Sequence, residues 1–135
     1  MKIMGIDLGS KTIGIAVSDE LEISAHGVKV IQRIGINRDI EEIAKFAEEN
    51  SVEEIVVGLP VNMNGTIGQQ AEKVLNFVKR LRGKLNIPVA TWDERLSTVA
   101  VTKVLIEGSV KRKNRKNVID KVAAVYILQG YLDSR

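Results

Sequence analysis

The chain has 135 residues, a formal net charge of +3 and 44% apolar side chains, enough for the core of one compact domain over residues 1–135. It contains no cysteine and a single histidine, His26, which excludes disulfides and thiolate metal sites. No apolar signal region opens the chain and no apolar run approaches the ~20 residues needed to span a bilayer, so a cytoplasmic protein is expected.

The first stretch, Lys2 to Asp19, reads as strand, tight turn, strand. Ile3, Gly5 and Asp7 share one face of the first strand, and Met4, Ile6 and Leu8 the other. Gly9-Ser10 supplies the turn. In the second strand Ile13, Ile15 and Val17 alternate with Thr12, Gly14, Ala16 and Ser18. A third strand is expected from about Ala25 to Ile31. Asn37 or Asp39 is then placed to cap a helix reaching about Asn50, with Ile36, Ile40, Ile43, Ala44 and Ala47 on one stripe. Glu54 to Gly58 is continuously apolar after its first residue, as in a central strand covered on both sides. After the loop LPVNMNGTIG, a helix from about Ile67 to Arg82 buries Ala71, Val74, Leu75, Val78 and Leu81, with Gly83 at its expected stop. A fifth strand runs from Ile87 to Trp92. A helix from about Arg95 to Glu107 stops at Gly108. The loop SVKRKNRKN follows, then a last helix from about Val118 to Asp133. Hairpin strands followed by βα units predict an α/β fold, a mixed sheet with helices on both faces and its site at the C-terminal ends of the parallel strands.

Three acids stand out by position. Asp7 lies inside the first strand, where an unpaired carboxylate is costly to bury and a metal ion is one candidate partner. Asp93-Glu94 follow the fifth strand, and Asp120 comes early in the last helix. Mg²⁺ takes oxygen ligands and keeps several waters, so a few carboxylates suffice, and a trio at one sheet edge suits metal-assisted phosphoryl transfer. Each acid also has a purely structural explanation. Turn amides can hold Asp7, and Asp93 can cap the next helix, with Glu94 favouring its dipole. Asn117 and Asp120 are spaced like a capping box. Against that last explanation, Asp120 shares a helical stripe with the small residues Ala123 and Ala124 and with Ile127.

Gly5 through Ser10-Lys11-Thr12 nearly spells a P-loop, but a P-loop opens a helix and Thr12 opens a strand, so it is rejected. The loop from Leu59 to Gly68 precedes a helix whose N-terminal amides suit a phosphate, with Asn62, Thr66 and Gln69 as further contacts; an ordinary βα loop explains it equally well. Lys111, Arg112, Lys113, Arg115 and Lys116 form a dense basic run. Such runs are usually solvated loops, but this one adjoins Asp120, where a polyanionic substrate needs positive charge. Lys11 in the turn and Arg95 beside Glu94 complete the candidate nucleic-acid contacts, although Arg95 can equally pair with Glu94. Trp92 reads as core and His26 as a strand residue without a catalytic role.

GIDLGSKTIGIAVSD, VVGLPVNMNGT, DERLST and DKVAAVYILQGYL together resemble, in order and over essentially the whole chain, the four blocks of the YqgF (RuvX-like) family. Its members are described as Holliday junction resolvases and as pre-16S rRNA nucleases. The resemblance implies an RNase H-like fold: a five-stranded mixed sheet, second strand antiparallel, flanked by helices. It implies that Asp7, Glu94 and Asp120 are catalytic and hold Mg²⁺ or Mn²⁺, as two ions bound with substrate. A metal-activated water then attacks phosphorus and leaves a 5′-phosphate and a 3′-hydroxyl. Two positions depart from the family pattern. Asn64 replaces an Asp, which reads as turn chemistry. Thr12 replaces a basic residue, so one phosphate contact is expected to be missing.

The resulting expectation is a metal-dependent nuclease acting on precursor rRNA or branched DNA, a monomer or weak homodimer. Two rivals differ in class. The first hairpin is also similar to the phosphate-binding hairpin of the actin and sugar-kinase superfamily, whose members close two lobes over ATP; one domain of this length cannot supply both. A non-catalytic nucleic-acid or ribosome-assembly module with vestigial acids is the other.

Overall fold

Alternation along the first hairpin builds the middle of the sheet. In a computed structural model that describes residues 1–96 and 112–135, with side chains for 1–96 and 121–135, β1 (Lys2–Leu8) and β2 (Thr12–Ser18) pair antiparallel. Gly5 stands opposite Ala16 and Asp7 opposite Gly14. β3 (Ala25–Gln32) pairs antiparallel with β2, while β4 (Val52–Leu59) and β5 (Val89–Asp93) add in parallel on the other side of β1. The order β3-β2-β1-β4-β5 is the expected five-stranded mixed sheet with its second strand antiparallel.

The two faces are covered differently. Met4, Ile6, Leu8, Ile13 and Ile15 point to one face, where they pack with Ile55, Val57 and the apolar stripes of α1 (Ile36–Glu49) and α2 (Gln69–Lys84). Ile3, Ala16 and Val56 point to the other, against Ala123, Ala124, Ile127 and Leu128 of α3 (Arg112–Asp133). β4 therefore contributes buried side chains to both faces, which explains its continuous apolarity. Small residues bring α3 close: a Cβ on Gly5 would sit 2.7 Å from Leu128 Cβ and 3.0 Å from the Ala124 carbonyl oxygen.

Several element ends differ from expectation. Neither Asn37 nor Asp39 caps α1; Gly35 occupies that position without a side-chain cap bond. Asn37 accepts a hydrogen bond from Arg80, and Asp39 is taken up by Arg33 and the Ile34 amide. α2 runs through Gly83 to Lys84, because Arg82 Nε and Nη2 both donate to the Val89 carbonyl and hold the last turn against the start of β5. Within α2, Leu75 is exposed and Phe77 takes the core position. α3 already includes Arg112 and does not begin at Val118, since the basic run has no helix breaker and Lys and Arg are good helix formers. Where the helix over 95–107 was expected, the described residues show a 3₁₀ turn, Glu94–Leu96; residues 97–107 and Gly108 lie outside the described residues. Among the described residues no helix is long and apolar enough to cross a membrane.

Candidate active site

Asp7 is buried at 4% exposure near the end of β1. Its cross-strand neighbour on β2 is Gly14. On the parallel side Ile6 pairs with Val57, and the same register carried one residue further sets Asp7 beside Gly58. The carboxylate thus stands opposite a glycine on β2, and on the β4 side the residue after the last paired position is also a glycine, with strands ~4.8 Å apart. A glycine inside a strand marks a close approach by something else. At Gly58 that something is Ile127 of α3, into whose side chain a Cβ built there would run; the Glu94 carboxyl carbon lies beside it, 3.4 Å from that Cβ, at ordinary van der Waals distance. Glu94 reaches this position because Gly58 pairs with Trp92 on β5 and the chain turns at once into the Glu94–Leu96 3₁₀ turn. Asp7 and Glu94 are therefore gathered at one edge of the sheet.

Asp93 does something else. It pairs with Leu59, one residue out of phase with Gly58 and Trp92, so it falls on the opposite side of the strand. Its Oδ1 accepts hydrogen bonds from the Arg95 amide (2.9 Å) and Nε (3.1 Å), and its Oδ2 accepts from Nε (3.0 Å) and Nη2 (2.7 Å). Hydrogen bonding from the Arg95 guanidinium holds the Asp93 carboxyl below the usual carboxylate range and raises Arg95 in turn. The capping explanation of Asp93 thus holds, and Arg95 pairs with Asp93 rather than with Glu94. The Arg95 guanidinium also reaches the loop after β4, where a Cβ on Gly65 would be 3.6 Å from Nη1.

That loop is closed on itself. Asn62 Nδ2 donates to Thr66 Oγ1 (3.0 Å), Thr66 Oγ1 donates to Asn64 Oδ1 (2.6 Å), and Gly65 turns the backbone at φ +86°. Asn64 therefore serves the turn, as expected, and Asn62 and Thr66 are exposed but bound to each other. Lys11 is exposed in the β1–β2 turn, and Thr12 is buried.

The third acid falls at the limit of the description. Asp120 lies in α3 one turn before the buried Ala123 and Ala124, and its side chain is outside the described residues. Because α3 already includes Arg112, Asn117 is at least five residues inside the helix and cannot cap it, which removes the capping-box explanation of Asp120. Arg112, Lys113, Arg115 and Lys116 belong to α3 rather than to a loop; their side chains, and Lys111 altogether, are outside the described residues. Among the described residues no group of three acidic, histidine or cysteine side chains is close enough to hold an ion.

The model for "RuvX: Holliday junction resolvase" matches residues 1–134. The chain belongs to the RuvX family. Two curated relatives carry the name "Putative pre-16S rRNA nuclease". The one from Desulforamulus reducens is 56% identical over 134 residues, covering 99% of this chain and 98% of its own. The one from Clostridium kluyveri (strain ATCC 8527) is 53% identical over 133 residues, covering 98% and 97%. In fold the chain is similar to Thermus thermophilus RuvC, solved with a Holliday junction substrate, at a TM-score of 0.63 and 16% identity over 100% of this chain and 95% of that one. The fowlpox virus Holliday junction resolvase gives 0.55 at 14% identity over 100% of both chains. The fold is RNase H-like, and RuvX membership makes this RuvX chain a nuclease, a hydrolase of phosphodiester bonds. Resolvase-type nucleases of this fold are generally dependent on divalent metal. The donors here suit such an ion: the described ones are carboxylates, Asp7 opposite a glycine on β2 and the Glu94 carboxyl carbon 3.4 Å from where a Gly58 Cβ would stand.

The glycines at 14 and 58 were the part of the site not anticipated. A glycine ending an Ile-Val-Val run was the available signal, since a strand interior favours β-branched residues.

Proposed function

We propose that the chain is a metal-dependent nuclease that trims precursor 16S rRNA, working as a single domain in the cytoplasm, as a monomer or weak homodimer. The observation that carries this reading is the buried Asp7 opposite Gly14 near the end of β1, with the Glu94 carboxyl carbon 3.4 Å from a Cβ on Gly58 near the end of the adjacent β4. Asp7, Glu94 and Asp120 would hold Mg²⁺ or Mn²⁺. When bound, such ions supply Lewis-acid polarisation of the phosphoryl oxygens and neutralise charge that develops at phosphorus.

The chain's own residues bind and orient the substrate. Lys11 stands exposed in the turn after Asp7, at the edge a phosphodiester must approach. Arg95, fixed by both oxygens of Asp93, presents a preset guanidinium beside the Gly65 turn, so one phosphate contact costs little further ordering. Arg112, Lys113, Arg115 and Lys116 lie on the helix that carries Asp120, within eight residues of it. A polyanionic substrate at that acid needs positive charge nearby, which supports nucleic-acid contact by these four residues. Precursor rRNA is favoured over branched DNA because the relatives at 53–56% identity carry the rRNA name, whereas the resolvase structures share only the fold.

The test compares wild type with Asp7→Asn on end-labelled precursor 16S rRNA and on a four-way DNA junction, with and without Mn²⁺. Wild type is expected to cleave the rRNA only with metal. Asp7→Asn should lose more than the ~10–100-fold typical of an outer-shell defect while still binding RNA. Equal cleavage by the two proteins overturns the nuclease reading, and junction cleavage with untouched rRNA overturns the choice of substrate.

A further inference from the structure

We propose that Arg33 is a positioning residue of the nuclease site: with Asp39 it clamps the β1–β2 turn that follows Asp7 and carries Lys11. The inference rests on the nuclease reading, since the turn matters for catalysis only if Asp7 and Lys11 act on substrate. Arg33 immediately follows β3 and reaches the turn twice. Its backbone amide donates to the Lys11 carbonyl (2.8 Å), and Nη1 donates to the Gly9 carbonyl (2.9 Å). Nε is spent on Asp39 Oδ2 (2.9 Å), and Asp39 Oδ1 accepts the Ile34 amide (3.1 Å). Asp39 is 1% exposed, and the guanidinium lies over the Phe77 ring, 5.9 Å from its centroid. On the same segment the Leu8 carbonyl accepts a long hydrogen bond from Gln70 Nε2 (3.4 Å).

A Gly-Ser turn has little stiffness of its own; the Gly9 amide donates to the Thr12 carbonyl across it. Arg33 adds two bonds to carbonyls of that turn, one from its backbone amide and one from a guanidinium held by a buried acid and an aromatic ring. A planar fork serving two acceptors at once is something arginine does and lysine does not. Burying an ion pair contributes little net stability compared with apolar residues of similar volume, so stability alone is a poor reason for this pair. Pre-organisation of a site that tolerates only ~0.5 Å of error is a better one.

The discriminating variant replaces the pair together, Arg33→Met with Asp39→Leu, so that no buried charge is left alone; Arg33→Lys is the conservative partner. Both are expected to fold with a cooperative melt. In the double variant, hydrogen exchange of the Ser10 to Thr12 amides should speed up ~10-fold or more relative to amides of β4. Its kcat on labelled precursor rRNA should fall ~10–100-fold, as for an outer-shell partner, with KM changed less. Arg33→Lys should recover part of the kcat. Wild-type kcat in the double variant, or unchanged exchange at the turn, overturns the clamp. Failure of wild type itself to cleave overturns the nuclease reading instead, and the exchange measurement then decides the clamp by itself.

Discussion

The two faces of the sheet are built by opposite means. On the face covered by α1 and α2, large side chains fill the space: Met4, Ile6, Ile15, Ile43, Phe77 and Leu81 are all fully buried. On the α3 face the strands are thinned, with Gly5, Ala16 and Gly58 below and Ala123 and Ala124 above, so that one helix lies almost on the backbone. The same seven residues of β1 serve both, through alternation alone. A face filled with bulk leaves little open space beside its strands, whereas a face made of absent side chains leaves room at its edge for carboxylates. The difference predicts how each face fails: the first by deletion, the second by addition.

Deletion on the filled face has the largest expected effect. Leu81→Ala removes a fully buried side chain near the far end of α2 and should cost about 2–5 kcal/mol in a denaturant titration. Cleavage per folded molecule should stay at the wild-type level, because nothing near Asp7 or Glu94 moves. A lowered activity at full folding would show that the two faces are coupled and break the division. Addition on the thinned face comes next. Gly5→Ala drives a methyl into Leu128 Cβ and the Ala124 carbonyl, where backbone must yield, and should cost about 1–3 kcal/mol. Gly58→Ala meets the far end of Ile127, which can swing aside, so its stability cost should be the smaller of the two. Its activity cost should be the greater, because the new methyl touches the Glu94 carboxyl carbon. If Gly5→Ala and Gly58→Ala lose stability and activity in the same proportion, Gly58 is a packing glycine and not part of the site.

Alternation made most of this fold legible in advance. Asp7 and Gly5 fell on the face opposite Met4 and Ile6 because a strand has no other choice, and the doubly covered β4 followed from its apolar run. Helix ends were legible only in part. Capping rules pointed to Asn37 or Asp39, but a tertiary partner, Arg33, claimed Asp39, and no local pattern announces an acid recruited from outside its own helix. Gly83 gave a false stop because Arg82 ties the last turn of α2 to the Val89 carbonyl at the start of β5, a contact across seven residues that capping rules do not count. Among the candidate carboxylates, Asp7 stood out by its place inside a strand and Glu94 by its place after one. The reason that Glu94 comes inward and Asp93 does not was hidden in strand phase, because one residue of register decides which of two adjacent acids meets Gly58.

The smallest effect tests how far the α3 face stays apolar away from the site. Tyr131 leans edge-on against Trp92, and its hydroxyl donates to Glu54 Oε1 at 3.1 Å. Burial first, and the hydrogen bond to the Glu54 carboxylate second, push the Tyr131 phenol above its ordinary value. A phenol whose folded pKa lies above the unfolded one stabilises fully below about pH 10, and that contribution is lost as pH rises through the folded pKa. Tyr131→Phe should therefore cost about 1 kcal/mol near neutral pH, the usual worth of one hydrogen bond, and the gap to wild type should close in strongly alkaline solution. Stability of the two proteins against pH from 7 to 12 checks it. A constant gap across that range would mean that the hydroxyl is solvated rather than bonded to Glu54, and that this end of the α3 face is wet as well as thin.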